Sequence, residues 1–535
     1  MKRKMSGLFI IAVSAALIFA GCGGKSEGKT ASTANKAAGE EFIIGNGAEP
    51  QSLDPAKIQG TPEHRVNMAL FEGLVTYDPK TANAVPGVAE SWDISEDGMV
   101  YTFHLRKAEW SDGTPITAKT FVDSWMRMLA PETGAKYASM VALIVKGADD
   151  YNTGKADASA VGIKAVDDST FEVQLTGPLP YAIDMLAHYA FNPSPIHAIE
   201  KFGSDWIKPA HFVGNGPFTL ESWVPQEKLT VVPNEKYWNK ENVHLSRITF
   251  LPIEDMNTAF EKYKAGEIDW NISIPVPRLD EVKILPDYQV SPQIGTYYYI
   301  FNVNKGPLQD SRVRKALSMA LNIQEIVDKV TRGGQLASRS MVPPMAGYTP
   351  AEGAGYDPEG AKKLLAEAGY PDGKNFPEMT VIYNTNESHK TIAEYVQEAW
   401  KNNLGITINI QNYEWKTFLD IRQQHNFDIA RAGWVGDYQD PNTFLEIFMT
   451  DASNNDGQYS NAKFDELVRK AATMKNGPER FRTLHDAEAI FLTEEQGVLP
   501  IYSYVSQHLI DPKKWNGWYL NPSDIHPYVG VKKVP

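Results

Sequence analysis

Apolar positions along the chain switch between two periods. Phe42-Ile43-Ile44-Gly45 reads as a first strand. Trp92 and Ile94 alternate before Asp97-Gly98, a favoured tight-turn pair, and Tyr101, Phe103 and Leu105 alternate after it, which predicts a hairpin. Phe121, Trp125, Met128 and Leu129 have helical spacing behind Thr117, the predicted N-cap. Strand patterns recur at Phe171 to Leu175, at Phe218 to Leu220 after an Asn-Gly-Pro turn, at Ile248 to Phe250, and in the aromatic run Tyr297 to Asn302. Lys57 to Thr61 reads as extended, ahead of Pro62, which lacks the N–H a central strand needs.

From residue 311 the pattern lengthens. Val313, Ala316, Leu317, Ala320 and Leu321 share one face of a helix opening at Ser311 and closing near Gly333-Gly334. Asp357-Pro358 starts another helix and Gly369 ends it. Then come a strand (Met379 to Asn384), a helical stripe (Ile392, Tyr395, Val396, Ala399, Trp400), a strand (Ile406, Ile408, Ile410), a helix from Glu414 to Gln424, and a strand from Phe427 to Trp434. A β-α-β-α-β order implies parallel strands with right-handed crossovers. Ligands of open α/β sheets bind beyond the strands' carboxyl ends. Those ends carry His389, Trp415, Trp434 and Asp437, which this topology puts in one neighbourhood. Asp437, a carboxylate beside an indole just past a buried strand, is a receptor for a small cation such as a peptide amine. Val498 to Leu509 alternates again and returns toward an earlier domain.

Composition narrows the class. The 535 residues suggest about three structural units. With 42% hydrophobic and 22% charged residues, the chain can bury a large core. A net charge of −14 and an isoelectric point near 5.4 argue against a nucleic-acid partner. Residues 1–21 read as a signal peptide: Lys2, Arg3 and Lys4, then an apolar run from Leu8 to Ala20. Cys22, the sole cysteine, stands at the processing site of a lipoprotein signal, with Phe19 where the usual motif has Leu. Residues 22–40, rich in Gly, Ser, Lys, Thr and Ala, read as a flexible, lipid-anchored tether. No internal disulfide is possible. The 11 histidines show no metal spacing. No zinc-protease, nucleophile-elbow or Walker motif is present, so the chain is read as a non-enzyme with no metal and no cofactor.

QSLDPAKIQGTPE (51–63), PGVAESWDIS (86–95), YTFHLRKAEWSDGTPIT (101–117), EKFGSDW (200–206), AKKLLAEAGY (361–370), EWKTFLDIR (414–422) and FDIARAGW (427–434) together resemble the bacterial extracellular solute-binding proteins of the peptide and nickel class, in particular their oligopeptide-binding members. The resemblance covers nearly everything after the tether. It implies an α/β, three-domain, two-lobed fold with a hinged cleft. The first domain is discontinuous (41–72, 196–296 and 505–535), the second spans 73–195, and the third, 297–504, is the other lobe of the cleft. It also implies that short peptides bind as an added strand, through their backbone, between Gln59-Gly60-Thr61 and Gly433-Trp434-Val435. Asp437 then takes the peptide amino terminus. Arg431 and His389 reach its carboxylate at different peptide lengths, and Trp415, Trp434 and Tyr137 line the cleft. Val435 stands where an enteric member has Cys. The implied partner is the permease of an ATP-driven (ABC) importer, and the implied form is an exported, lipid-anchored monomer.

Blander readings stand beside these. Asp437 could bond its own turn, and Trp415 and Trp434 could be core aromatics. Arg431 could pair a nearby acid, His389 could be an ordinary first-turn residue, Tyr137 could pack on its own loop, and Gly60 could only shape a turn. Asp440 reads as the N-cap of a helix starting at Pro441. The alternatives in function are a dipeptide, metal chelate, haem or sugar in the same fold, a peptide-signal sensor, or an enzyme whose triad is assembled from distant residues.

Overall fold

The computed structural model describes residues 40–535, so the signal peptide, Cys22 and nearly all of the tether lie outside the described residues. Its frame is one eleven-stranded sheet. In chain order the elements used below are β1 (Glu40–Gly45), α1 (Thr61–Leu70), β2 (Phe218–Val224), β3 (Lys228–Pro233), β4 (Leu245–Leu251), β5 (Trp270–Asn271), β6 (Tyr288–Phe301), β7 (Met379–Asn384), α2 (Glu387–Leu404), β8 (Ile408–Tyr413), α3 (Trp415–Gln423), β9 (Ile429–Val435) and β10 (Val498–Ile510). The strand order is β2-β3-β4-β1-β5-β10-β6-β9-β7-β8, with Leu336–Ala337 added on β10.

Two long strands tie the halves of this sheet together. β6 and β10 run antiparallel from Tyr288 opposite Leu509 to Ile300 opposite Val498. At one end β5 pairs with β10; at the other β9 pairs with β6. The core divides accordingly. One cluster holds Phe42, Ile44, Val66 and Leu70 with the smaller four-stranded sheet's Phe103 and Phe171. Beyond the crossover two clusters sandwich the sheet: Tyr297, Tyr299 and Phe301 point to one, and Tyr298 and Ile300 to the other, the period-two alternation of a strand buried on both faces.

Most expected elements are present. Ala89–Ile94 and Val100–Leu105 pair as a hairpin, with Gly98 at positive φ. Thr120 Oγ1 accepts the Thr117 N–H at the start of helix Ala118–Leu129. β8 and β9 both lie parallel to β7. Two details differ. Thr61 is not extended: it opens α1, because Pro62 fits a helix's first turn, where its missing N–H is not needed. The long helix expected from Ser311 stops at Met319. The chain resumes as a short turn at Ile323–Glu325 and a π-helical turn to Thr331, since Asn322 caps a new start by accepting the Glu325 N–H.

Candidate functional site

β7, β8 and β9 end together, and beyond them lies a cavity of about 430 Å³ between the lobes. That size falls in the ~300–1,000 Å³ range of small-ligand sites. Gln59, Gly60, Thr61, Tyr137, His389, Trp415, Arg431, Gly433, Trp434, Val435 and Asp437 all line it. Residues separated by almost 380 positions thus face one space.

β9 is the decisive wall. Along its whole length it pairs with β6, Ile429 opposite Phe301 through Val435 opposite Gly295. On its other edge it pairs with β7 only at Ile429 and Ala430. From Arg431 onward that edge faces the cavity without a partner strand. Gly433 is required here for closeness: a Cβ would run into the Tyr504 hydroxyl.

Asp437 follows the strand. Its backbone N–H donates to Thr443 Oγ1 at 3.1 Å, and the Trp434 indole N–H lies 3.4 Å from the same oxygen. Its carboxylate does not fold back on its own turn. Oδ1 lies 3.3 Å from His188 Nε2, and Oδ2 is buried without a hydrogen-bond partner. His188 Nδ1 accepts the Ala190 N–H, so in the neutral ring the proton sits on Nε2, which is buried beside Asp437 without a hydrogen bond to it. Tyr137 stacks among these groups, its ring 4.5 Å from His188 and 6.2 Å from Trp434.

Arg431 shows the complementary deficit. Nη2 donates to the Tyr504 hydroxyl at 2.8 Å, Nη1 lies 3.4 Å from Asn384 Oδ1, and the guanidinium sits 4.9 Å from the Tyr297 ring centre. Nε has no partner, and no carboxylate pairs with Arg431 among the described residues. His389 occupies the first turn of α2 and faces Tyr297, its Nδ1 3.4 Å from the hydroxyl. Burial first, and the Arg431 charge second, hold its pKa well below the ordinary range, so it is neutral at pH 7.

Trp415 opens α3, and its indole N–H donates to Glu63 Oε1 at 3.0 Å, across the cleft. Asp440 caps the turn Pro441–Phe444 and also forms a doubly hydrogen-bonded buried pair with Arg480. His508 and Asp524 line the cavity, and His526 converges with them behind it. A metal-bound histidine ordinarily donates from its second nitrogen. His508 Nδ1 instead accepts from the Trp270 indole, so its Nε2–H points at Asp524, and the cluster is hydrogen-bonded without an ion.

Sequence reasoning missed His188, Glu63 and Tyr504. Each is contributed by an element remote in the chain: Glu63 ends the 51–63 motif and Tyr504 lies in the Val498 to Leu509 alternation, but neither pattern singles out the one residue, and His188 stands in none.

Residues 83–456 match the family described as bacterial extracellular solute-binding proteins, family 5. The chain belongs to that family. It is 41% identical over 497 residues to the periplasmic oligopeptide-binding protein OppA of Salmonella typhimurium, with 90% of each chain covered. Among solved structures it resembles Haemophilus influenzae OppA in complex with RPPGFSPFR (35% identity, TM-score 0.88, covering 93% of this chain and 99% of that one). It also resembles the unliganded open form of the murein tripeptide-binding protein MppA, at 38% identity but a TM-score of only 0.61, covering 93% and 98%. At comparable identity, the gap between those scores reflects lobe placement: here the cleft is closed. As a family 5 solute-binding protein the chain is a transporter's binding component rather than an enzyme, and it works outside the cytoplasm.

Proposed function

We propose that the protein binds short peptides with little sequence preference and hands them to an ABC permease for uptake. The single observation that carries this is the vacated edge of β9 from Arg431 to Val435, a place for one more strand. A guest held through main-chain hydrogen bonds needs few side-chain contacts, which gives broad tolerance. The unbalanced charges support the same reading. A buried guanidinium without an acid and a buried carboxylate oxygen without a donor are each costly, and a zwitterionic chain with a free amine and a free carboxylate would satisfy both. In this reading Asp437 receives the ammonium group and Arg431, helped by His389 according to peptide length, receives the carboxylate. Gln59 to Thr61 and Trp415 close over the guest from opposite lobes.

Residues 41–72, 196–296 and 505–535, with 73–195, move as one lobe and 297–504 as the other, bending at β6 and β10. Peptide stabilises the closed form, and that form is what the permease engages. A lipid on Cys22 and the tether to residue 40 hold this monomer at the membrane.

Calorimetry with trialanine and its N-acetylated form tests the amine anchor. The free tripeptide should bind and the acetylated one should bind at least a hundredfold more weakly, with Asp437→Asn abolishing the difference. Equal affinities would remove Asp437 from this role. Mass spectrometry of ligands released from the purified protein tests the class: ligands other than peptides would overturn the reading.

A further inference from the structure

Glu63 is a buried acid that the peptide-binding reading leaves without a task. It sits in the first turn of α1, 1% exposed, and does not itself line the cavity. Oε1 accepts the Gln51 backbone N–H at 2.7 Å, within its own lobe, and the Trp415 indole N–H at 3.0 Å, from the opposite lobe. Oε2 is buried with no partner. The two residues belong to different cores: the helix of Glu63 packs Val66 and Leu70 into the first-lobe cluster, whereas Trp415 packs on the cluster around Phe418 and Tyr298.

A second first-lobe acid meets the same residue. Glu254, between β4 and the next helix, lies near enough to the backbone N–H of Trp415 for that group to favour its charged form. Both acids are pushed toward protonation, chiefly by burial, while Trp415 itself favours their charged forms. Flanking contacts cross the same seam: Gln51 Nε2 donates to Asp420 Oδ1 at 3.2 Å, and Asn257 Nδ2 to Glu387 at 3.0 Å.

We propose that Glu63, seconded by Glu254, is a latch that grips Trp415 of the opposite lobe in the closed cleft and sets how long a bound ligand stays. The chemistry suits a catch that must release. The hydrogen bond that Oε1 accepts from the indole favours closure, while stranding Oε2 away from water opposes it, so the net hold is modest and reversible. Glu63 is a positioning residue: it fixes the edge of an indole whose ring walls the cavity. Water entering as the lobes part would rehydrate Oε2 and free the indole N–H together. This inference rests on the cleft closing over a peptide.

The test is a double-mutant cycle in dissociation rate. Trialanine release is followed by stopped-flow fluorescence in the wild type and in Glu63→Met, Glu63→Gln, Trp415→Phe and the Glu63→Met/Trp415→Phe pair. With Trp415 present, Glu63→Met should release peptide about tenfold faster with the association rate within about twofold, since a latch engages after encounter. Glu63→Gln, which keeps an acceptor oxygen, should recover part of the loss. In the Trp415→Phe background, which lacks the indole N–H, adding Glu63→Met should change the rate by less than twofold. The same tenfold effect in both backgrounds, or none in either, would overturn the latch. Failure of the wild type to bind trialanine or any longer peptide would instead refute the functional reading beneath it.

Discussion

Gly60→Ala separates closing from folding. Gly60 has φ −121° and ψ 164°, a conformation alanine adopts freely, so the substitution adds no backbone strain. A Cβ there would lie 2.6 Å from Trp415 Cζ2, across the cleft, and would also press on the Glu63 carboxylate. Carbon atoms at rest keep about 3.5–4.0 Å apart, so the indole must retreat by about 1 Å. Overpacking of that size costs about 1–3 kcal/mol, or a ~5- to 150-fold loss in peptide affinity. The unliganded open form meets no indole, and the flexible Glu63 tip can swing aside. There the loss of glycine's freedom in the unfolded chain should stabilise the protein by ~0.4–1 kcal/mol. Calorimetry should therefore show weaker binding while the thermal midpoint of the peptide-free protein holds or rises. Unchanged affinity, or a fall in both, would refute the reasoning.

Arg431→Gln should weaken peptides with a free carboxylate at least tenfold while affecting C-amidated ones much less; calorimetry with the matched pair reads this. His188→Asn keeps a side-chain oxygen to cap Ala190 but removes the ring nitrogen that stands 3.3 Å from Asp437, so its penalty should appear with free-amine peptides and vanish with N-acetylated ones. Burial raises the pKa of Glu63 and Glu254 in the closed cleft, and on the latch reading opening relieves that burial, so closure takes up protons. The favourable contribution is full below the open-state carboxylate range and is lost as pH rises through the raised values, so affinity should decline as pH rises above the ordinary carboxylate range, and heats measured in two buffers should show proton uptake. Glu488 makes the same argument for folding. Burial lifts its pKa to about 7 despite donors from Val342, Ala351 and Tyr348. The contribution of Glu488 to stability should thus be full below the usual carboxylate range, fall by ~3 kcal/mol as pH rises from there to about 7 and level off above, read from thermal midpoints of wild type against Glu488→Gln across that range.

The parallel part of the sheet was legible because its strands are short apolar runs alternating with amphipathic helices; Met379–Asn384 has the boundaries its pattern suggests. That order alone puts His389, Trp415, Trp434 and Asp437 at one rim. The resemblance added the other wall, Gln59 to Thr61 and Tyr137, which no local pattern reveals. The helix from Ser311 was drawn too long because its apolar stripe continues in phase across Asn322, and a stripe does not register a cap that restarts the chain. Glu63 and His188 stayed hidden for another reason. Each matters through a partner more than two hundred residues away, Trp415 and Asp437, and a lone acid or histidine looks the same in sequence whether solvated or enclosed.

The open edge of β9 has a cost that its occupant conceals. A strand with unpaired backbone groups is a template for any other strand, including one from a neighbouring molecule. Here the unpaired stretch is only five residues long, starts at a charged side chain, and ends just short of another. It faces inward, so a whole folded domain cannot reach it, whereas a loose chain end can. The feature that admits a meal therefore also screens the diner's own kin. Protein stripped of peptide and held with its lobes apart should self-associate more than the loaded form, and the remedy for that clumping would be a tripeptide rather than a detergent.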